Sequence, residues 1–493
     1  MLFSSMFFLW VFLPIVIVGN FALSMIPFNK EETRIRVKNT FLLISSILFY
    51  AWGNINYLFL MLGSILLNYI GGLFITRSPK YKRSKLFVVI GLNLGLLFIF
   101  KYFNMLVIVI ESILSFDGNG AQLLHNMLSM QGTGALGLPY IALPIGISFF
   151  TFQAMSYVID VYWGKTDVQK NLFDFALYVS FFPQLVAGPI VKYSDIAAQL
   201  KKREETIAMF ISGQKRFCYG LAKKVLLSNT FAEIADTIWA LDISTMGTSV
   251  AWLGILAYTL QIYYDFSGYS DMAIGIGKML GFEFKENFNY PYTSLSVQEF
   301  WRRWHISLST WFKEYVYIPL GGNRRGNGRT YFNLFVVWFL TGIWHGANFT
   351  FLLWGLWYFA FLILERLFLG KWLQKNPVKI FNWIYSILVV MIGWVFFRAN
   401  NLFDAVNFLK QMFGGFASNY TVVSFLSMKA VIAFVLGILF AGLLQRPLQA
   451  TYEKNKHRTP VMICDLAIQL VTLVLCILLM VSGTYNPFIY FQF

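Results

Sequence analysis

Residues 7–27, FFLWVFLPIVIVGNFALSMIP, decide the fold class, because they form an apolar run long enough to cross a membrane. A helix of about 20 apolar residues spans the hydrocarbon core of a bilayer. The run is too long for the apolar core of a signal peptide, and no basic residue precedes it. We therefore predict a membrane span that the protein retains.

Comparable apolar runs recur along the whole chain of 493 residues. Hydrophobic residues make up 58% of the sequence and charged residues 13%, about half the charged share of a soluble domain. We predict an all-α polytopic membrane protein, residues 1–493 forming a single integral domain with about eleven spans. The predicted spans lie near residues 7–27, 40–52, 55–75, 86–110, 139–160, 207–230, 249–265, 331–362, 379–400, 423–445 and 460–482, with shorter or re-entrant pieces near 172–190 and 266–320.

The formal net charge is +16, and the excess of basic residues lies in short loops between the apolar runs. That placement is typical of positive-inside topology and of attraction to anionic lipids, so we predict membrane lipids rather than nucleic acid as the partner. Basic loops at 30–38, 77–85, 192–203, 371–379 and 446–458 mark the cytoplasmic side and alternate with loops poor in Lys and Arg at 114–138, 231–248 and 401–422. The alternation places both termini outside the cytoplasm, including the tail 483–493, GTYNPFIYFQF.

The cysteines are odd in number and lie in or beside apolar stretches, at Cys218, Cys464 and Cys476. They predict no disulfide framework. The four histidines lack the spacing of metal ligands, so we expect no metal site.

The stretch 263–282, YYDFSGYSDMAIGIGKMLGF, places two carboxylates in or beside apolar sequence. Ionised side chains are costly there, so Asp265 and Asp271 are expected to be functional or paired with cations. The alternative is a broken helix in which the two carboxylates cap main-chain amides.

The segment Trp301–Glu314 predicts a short amphipathic helix at the membrane interface. Its aromatic face comprises Trp301, Trp304, Leu308 and Trp311, and its basic residues are Arg302, Arg303 and Lys313. His305 follows two arginines that disfavour its protonation, so we expect a neutral imidazole at pH 7 and treat it as a candidate functional residue.

His345, in TGIWHGANFTFLLWGLW (341–357), is the residue that most strongly indicates a functional site. It lies about 14 residues into the predicted run 331–362, which on a continuous helix is roughly 20 Å deep. A histidine at that depth needs a polar partner or a cavity, and either a functional or a structural role fits. Trp344 and Gly346 flank it, and the glycine allows another backbone or a ligand to come close.

Four stretches together resemble a known family: FFPQLVAGPIVKYSD (181–195), YYDFSGYSDMAIGIG (263–277), EFWRRWHISLSTW (299–311) and GIWHGANFT (342–350). They are similar to membrane-bound O-acyltransferases, and to the bacterial branch typified by the membrane subunit of alginate O-acetylation. The likeness runs from 41–54 to 393–401 and is densest over 140–360, the expected catalytic core. It implies a ring of helices around a central tunnel, in the bacterial cytoplasmic membrane.

The resemblance also implies residue roles. The hallmark membrane histidine of the family corresponds to His345, the expected base, and a second polar position corresponds to His305. Acyl transfer from a thioester needs such a base, together with donors for the oxyanion. The further residues implied are Arg302, Arg303, Arg324 and Arg325 at a cytoplasmic donor site, and Asp265, Asp271, Trp344 and Asn348 as polar or structural groups of the tunnel.

The tail ends in Phe488-x-Tyr490-x-x-Phe493. This resembles the terminal aromatic motif of the small membrane subunit in teichoic acid D-alanylation. By that likeness Tyr490 takes the acyl group as a phenyl ester and presents it outside the membrane. The alternative is an aromatic anchor at the membrane interface.

The resemblance therefore implies an enzyme that moves acetyl groups from a cytoplasmic thioester, acetyl-CoA or an acyl carrier protein, to an extracytoplasmic polysaccharide. No cofactor is expected to stay bound. The expected partner is a separate SGNH or esterase-like transferase outside the membrane that completes the sugar ester. The alternatives are D-alanyl or other acyl transfer to an envelope polymer, transfer to lipid or protein, and a transporter of the donor or polymer without enzymatic activity.

Overall fold

The computed structural model describes residues 1–78, 80–116, 119–130, 134, 136–138, 141–186, 188–414, 419–483 and 485–489. All regular structure within these residues is helical, which confirms the all-α class. Six helical segments are long and apolar enough to cross a membrane: Phe8–Met25, Ile55–Thr76, Lys82–Leu114, Phe349–Lys375, Lys379–Arg398 and Thr459–Ser482. A seventh is reached if Met428–Leu443 and Gln445–Asn455, bent by 64°, form one span. The number of about eleven spans stays a prediction.

The first part of the chain forms α1 (Leu13–Met25), α2 (Glu31–Ala51), α3 (Ile55–Thr76), α4 (Lys82–Leu114) and α5 (Gly120–Ser129), with a π-helical segment at Phe8–Phe12. The first four predicted spans fall on α1 to α4. Asn68 of α3 and Asn93 of α4 are buried and exchange amide hydrogen bonds of 2.9 Å. Such side-chain amide bonds are typical between helices that share an apolar environment.

The middle of the chain forms α6 (Ile147–Trp163), α7 (Leu172–Ser180), α8 (Phe182–Leu185), α9 (Tyr193–Lys201), α10 (Ile207–Ala222), α11 (Asn229–Trp239) and α12 (Thr248–Met279). A π-helical segment, Lys223–Ser228, joins α10 to α11, and a 3₁₀ turn at Ile243–Thr245 precedes α12. α12 is buried along most of its 32 residues. A Cβ on Gly220 of α10 would lie 2.7 Å from the carbonyl oxygen of Gly268 of α12, so the two backbones are in direct contact.

α12 runs without a break through Asp265 and Asp271, so the broken helix considered for this stretch is wrong. Asp265 forms an ion pair with Lys224 at 2.7 Å. Asp271 pairs with Lys223 at 2.7 Å and with Arg216 at 2.8 Å. Both carboxylates are therefore paired with cations of the neighbouring α10 region, because an unpaired charge inside an apolar helix bundle is too costly.

The predicted single helix at Trp301–Glu314 is two short helices, α13 (Val297–Arg303) and α14 (Ile306–Phe312), followed by a π-helical segment at Lys313–Tyr317. A 3₁₀ turn, Pro291–Thr293, precedes α13. His305 lies between α13 and α14 with a φ of 44°, in the left-handed region that interrupts a helix. The three tryptophans of this segment, Trp301, Trp304 and Trp311, are buried, and so is Leu308. The predicted interfacial anchor is therefore wrong, since these side chains face the protein interior.

The predicted run 331–362 is a helical hairpin of α15 (Asn327–His345) and α16 (Phe349–Leu364). A Cβ on Gly342 would lie 2.6 Å from the carbonyl oxygen of Phe351, so the two helices cross in close contact. Asn348 starts the second helix, since its side-chain oxygen accepts the N–H of Thr350 as an N-cap. The continuous helix predicted through His345 is wrong, because His345 is the last residue of α15.

The remaining helices are α17 (Gly370–Lys375), α18 (Lys379–Arg398), α19 (Leu402–Gly414), α20 (Met428–Ile438), α21 (Gln445–Asn455) and α22 (Thr459–Ser482), with a 3₁₀ turn at Val422–Phe425 and π-helical segments at Glu365–Leu369 and Leu439–Leu443. Asn486, after α22, donates a hydrogen bond of 3.0 Å to the hydroxyl of Ser4. The N-terminus and the start of the tail therefore lie side by side. Which side of the membrane they face stays a prediction.

Candidate active site

His345 lies between two cavities in the interior. The larger cavity, of about 230 Å³, is lined by His345, Trp344, Lys101, Val186 and residues 143–149. The smaller cavity, of about 20 Å³, is lined by Ile262, Asp265, Phe266, Trp304, His345, Trp354, Trp394, Phe397, Phe488 and Ile489. His345 thus contributes to the walls of both cavities, and the larger one has room for a small molecule beside it.

The imidazole of His345 is held by aromatic rings. The centroid distances are 4.9 Å to Trp344, 4.7 Å to Trp354 and 5.0 Å to Phe397, and all three contacts are edge-on. Within the part of the chain that the structure describes, the ring has no hydrogen-bond partner, and the residue is 7% exposed. Its ring nitrogens are therefore available to a hydroxyl that enters a cavity, and the fixed ring needs little rearrangement to accept a proton.

The end of α15, which carries His345, is tied to α4. Lys101 donates a hydrogen bond from Nζ to the carbonyl oxygen of Trp344, and Tyr102 donates one of 2.5 Å to the carbonyl oxygen of Ile343. The last carbonyls of a helix lack partners within the helix and must be satisfied from outside. α4 supplies two of those partners, and it thereby fixes the backbone beside His345.

The sequence reasoning missed Lys101. It lines the larger cavity, is 8% exposed, and also donates a 3.3 Å hydrogen bond to Ser148. The sequence did mark Lys101 as a candidate, because a lysine inside the apolar run 86–110 is an ionisable residue within a predicted membrane span. Such residues are functional candidates for the same reason as His345.

His305 is buried, with 1% exposure, at the junction of α13 and α14. Its Nδ1 lies 3.2 Å from the side-chain oxygen of Asn287, which also accepts a 2.9 Å hydrogen bond from the hydroxyl of Ser307. Nε2 has no partner within the described residues. If Nδ1 carries the proton and donates to Asn287, Nε2 has a free lone pair.

Both histidines lie close to one indole ring, that of Trp344. The ring centroid of Trp344 lies 6.3 Å from that of His305 and 4.9 Å from that of His345. His305 does not belong to the lining of either cavity. The structure therefore gathers both predicted histidines around Trp344 and gives cavity access to His345.

The four arginines predicted at a donor site lie away from both cavities. Arg302, Arg324 and Arg325 are exposed. Arg303 pairs with Glu299 at 2.6 Å. Within the described residues, the side chains of Arg302, Arg324 and Arg325 form no hydrogen bond or ion pair, and none of the four arginines lines a cavity at His345.

Of the remaining predicted tunnel residues, two line a cavity and two have structural contacts elsewhere. Asp265 lines the smaller cavity, and Trp344 lines the larger one. Asp271 lines neither, and its two cations account for its burial. Asn348 caps α16 and donates a 2.6 Å hydrogen bond to the carbonyl oxygen of Asn400, so its contacts are structural.

The tail leads from the surface towards His345. Phe488 and Ile489 are each 4% exposed and line the smaller cavity. Tyr490, the predicted acyl carrier, lies outside the described residues. The described part of the chain contains no group of three or more side chains that could hold a metal ion.

Comparisons with known proteins identify the family of this chain. The family model described as the membrane-bound O-acyltransferase family matches residues 166–403. The chain is 41% identical over 517 aligned residues to a Pseudomonas putida protein named probable alginate O-acetylase AlgI, with both chains covered completely. It is 44% identical over 416 residues to the Pseudomonas aeruginosa protein of the same name, covering 84% of this chain and 75% of the relative.

A third relative is a Helicobacter pylori protein named peptidoglycan O-acetyltransferase, 35% identical over 446 residues, with 84% of this chain and 80% of the relative covered. The matched region contains the two histidines, the α15–α16 hairpin and α12. The identity to the Pseudomonas putida protein extends over the whole length of both chains. This chain belongs to the membrane-bound O-acyltransferase family, and it is an O-acyltransferase.

Proposed function

We propose that this enzyme moves acetyl groups from a cytoplasmic thioester to a polysaccharide outside the bacterial cytoplasmic membrane, with His345 as the base. The observation that carries the proposal is the position of His345 between two interior cavities, held by aromatic rings and without a hydrogen-bond partner in the described part of the chain. A neutral imidazole in that position can accept the proton of an incoming hydroxyl.

The names of the relatives support the choice of acceptor. Two are named for alginate O-acetylation and one for peptidoglycan O-acetylation. Both polymers lie outside the cytoplasmic membrane and carry sugar hydroxyls. Alginate or a related exopolysaccharide is our first candidate, because two relatives that are 41% and 44% identical to this chain carry that name.

The donor is an acetyl thioester of coenzyme A or of an acyl carrier protein. The attacking hydroxyl gives its proton to His345, its oxygen bonds to the carbonyl carbon, and the C–S bond breaks. The thiolate leaves and takes up the proton. Donors of both kinds carry phosphate groups, and the exposed Arg302, Arg324 and Arg325 offer cationic side chains to them on the predicted cytoplasmic surface.

The first hydroxyl in this scheme is the phenol of Tyr490. Its neighbour Ile489 is buried at the smaller cavity that His345 also lines, which supports an approach of the tail to the base. A phenol leaves about as readily as a thiol, so the phenyl ester keeps most of the acyl-transfer potential. A separate extracytoplasmic SGNH or esterase-like transferase then passes the acetyl group from Tyr490 to the sugar.

The test compares ester-linked acetate on extracellular polysaccharide in cells that carry the native chain, His345→Gln or His457→Gln at matched membrane abundance. His457 is exposed and lines neither cavity, so its substitution is the control. We expect acetate to disappear with His345→Gln alone. Unchanged acetate with His345→Gln contradicts the role of His345 as the base.

A further inference from the structure

The described part of the tail, residues 485–489, turns from the surface into the interior. Tyr485 is 46% exposed, whereas Phe488 and Ile489 are 4% exposed. Of the candidate membrane spans, the preceding helix α22 is the least buried, with 11% of its apolar 18-residue stretch buried. The tail is therefore packed into the core more deeply than the helix from which it emerges.

Two charged side chains hold the main chain of this segment. Asp265 accepts a 3.0 Å hydrogen bond from the N–H of Ile489, and Lys224 donates one to the carbonyl oxygen of Pro487. Asp265 and Lys224 also pair with each other at 2.7 Å, and both side chains are 2% exposed. An ammonium has three donors and a carboxylate has two oxygens, so each group can serve its partner and the tail together.

These contacts fix the tail by its backbone at two positions, two residues apart. Main-chain hydrogen bonds provide binding that depends little on side chains, while neighbouring pockets select the side chains between them. The ring of Phe488 lies between the two bonds, 5.1 Å from the ring of Tyr269 and within 5.7 Å of the Lys224 ammonium. The two bonds thus fix the register of the tail with respect to the cavity at His345.

We propose that Asp265 and Lys224 form a main-chain binding site for an extended peptide segment, which the tail occupies and which sets the tail residue delivered to His345. The inference rests on the proposed function, in which Tyr490, the residue after Ile489, takes the acyl group. Asp265 and Lys224 are positioning residues, because they contact the tail backbone and not the reacting atoms. The site tolerates a change of side chain at Ile489 as long as its N–H remains.

The first experiment measures occupancy of the site without measuring activity. Ile489→Cys is introduced into a chain in which Cys218, Cys464 and Cys476 are changed to Ala, and its reaction with a water-soluble maleimide is followed in lipid nanodiscs. We expect slow labelling in this background and labelling about tenfold faster with Asp265→Asn, since the N–H of Ile489 then donates to a neutral amide oxygen in place of a charged carboxylate. Equal rates would overturn the proposal.

The same helix provides a matched control. Asp271 forms an ion pair with Lys223, the neighbour of Lys224, and makes no contact with the described part of the tail. Asp271→Asn therefore removes a comparable charge without touching the tail, and the labelling rate should stay at the background value. A rate raised equally by Asp271→Asn would assign the effect to general loosening of α12, against the proposal.

The second experiment measures acetate transfer with Ile489→Pro, which removes the N–H that Asp265 accepts, and Ile489→Val, which keeps it. We expect at least about tenfold less transfer with Ile489→Pro than with Ile489→Val. Tyr490→Phe separates this inference from the proposed function. If Ile489→Pro loses acetate transfer and Tyr490→Phe does not, the binding site is retained and Tyr490 is not the carrier. If Ile489→Pro keeps full transfer, the binding site is overturned, whatever the result with Tyr490→Phe.

Discussion

Lys101 of α4 donates a hydrogen bond to the main-chain carbonyl of Trp344, the residue before His345, across a sequence separation of 243 residues. The bond joins a buried lysine to the end of a helix whose last carbonyls have no partner within the helix. It links the first membrane helices to the hairpin that carries the proposed base. The position of His345 therefore depends on a residue that lies far from it in the sequence.

Lys101→Met should lower acyl transfer without abolishing it. The substitution keeps a similar volume but removes the bond to the Trp344 carbonyl, so the end of α15 loses a constraint. Misplacement of a catalytic group by about 1 Å can cost on the order of 100-fold in rate. Lys82→Met, at the start of the same helix, is the control. Equal transfer rates for the two variants would show that the bond does not position His345.

His305 offers a test of which ring nitrogen matters. His305→Asn can keep the contact of Nδ1 with Asn287, whereas His305→Gln places its amide nearer the position of Nε2, which has no partner within the described residues. If the free nitrogen serves the reaction, His305→Gln should retain more activity than His305→Asn, by a factor of about 10–100. The opposite order would assign His305 a structural role beside Asn287.

The contact between α10 and α12 should be intolerant of any side chain. A Cβ on Gly220 would lie 2.7 Å from two main-chain atoms of α12, the Gly268 oxygen and the Met272 nitrogen. Gly220→Ala should therefore destabilise the protein by about 1–3 kcal/mol, as overpacking does. Gly95→Ala, where no atom lies within 4 Å of the new Cβ, is the control. Thermal unfolding in detergent measures the difference, and equal midpoints would contradict the close contact.

Hydropathy could predict the class of the fold and the approximate position of most helices. It could not predict the break at His345, because residues 331–362 are apolar on both sides of Gly346 and read as one span. The reversal of chain direction depends on close main-chain packing between α15 and α16, as at Gly342 and Phe351, and on the N-cap of Asn348. Neither contact leaves a hydropathy signal.

The candidate site was predictable in part. The motifs directed attention to both histidines, and the structure places them around Trp344. The spacing of the tryptophans near His305 favours interfacial anchors, yet Trp301, Trp304 and Trp311 are buried, and the left-handed backbone at His305 separates two short helices. The pairing of Asp265 with Lys224 joins residues 41 positions apart, which charge patterns along one helix cannot reveal.

The central claim is that His345 catalyses acyl transfer, and the most direct measurement uses the purified chain in proteoliposomes. Thiol release is followed from acetyl-CoA and from an acetylated acyl carrier protein, each with a hydroxyl acceptor present, for the native chain, His345→Gln and His457→Gln. The account predicts turnover of at least one donor, a fall of about 10²–10⁴-fold with His345→Gln, and no fall with His457→Gln. Equal turnover by the native chain and His345→Gln, or none with either donor, would contradict it.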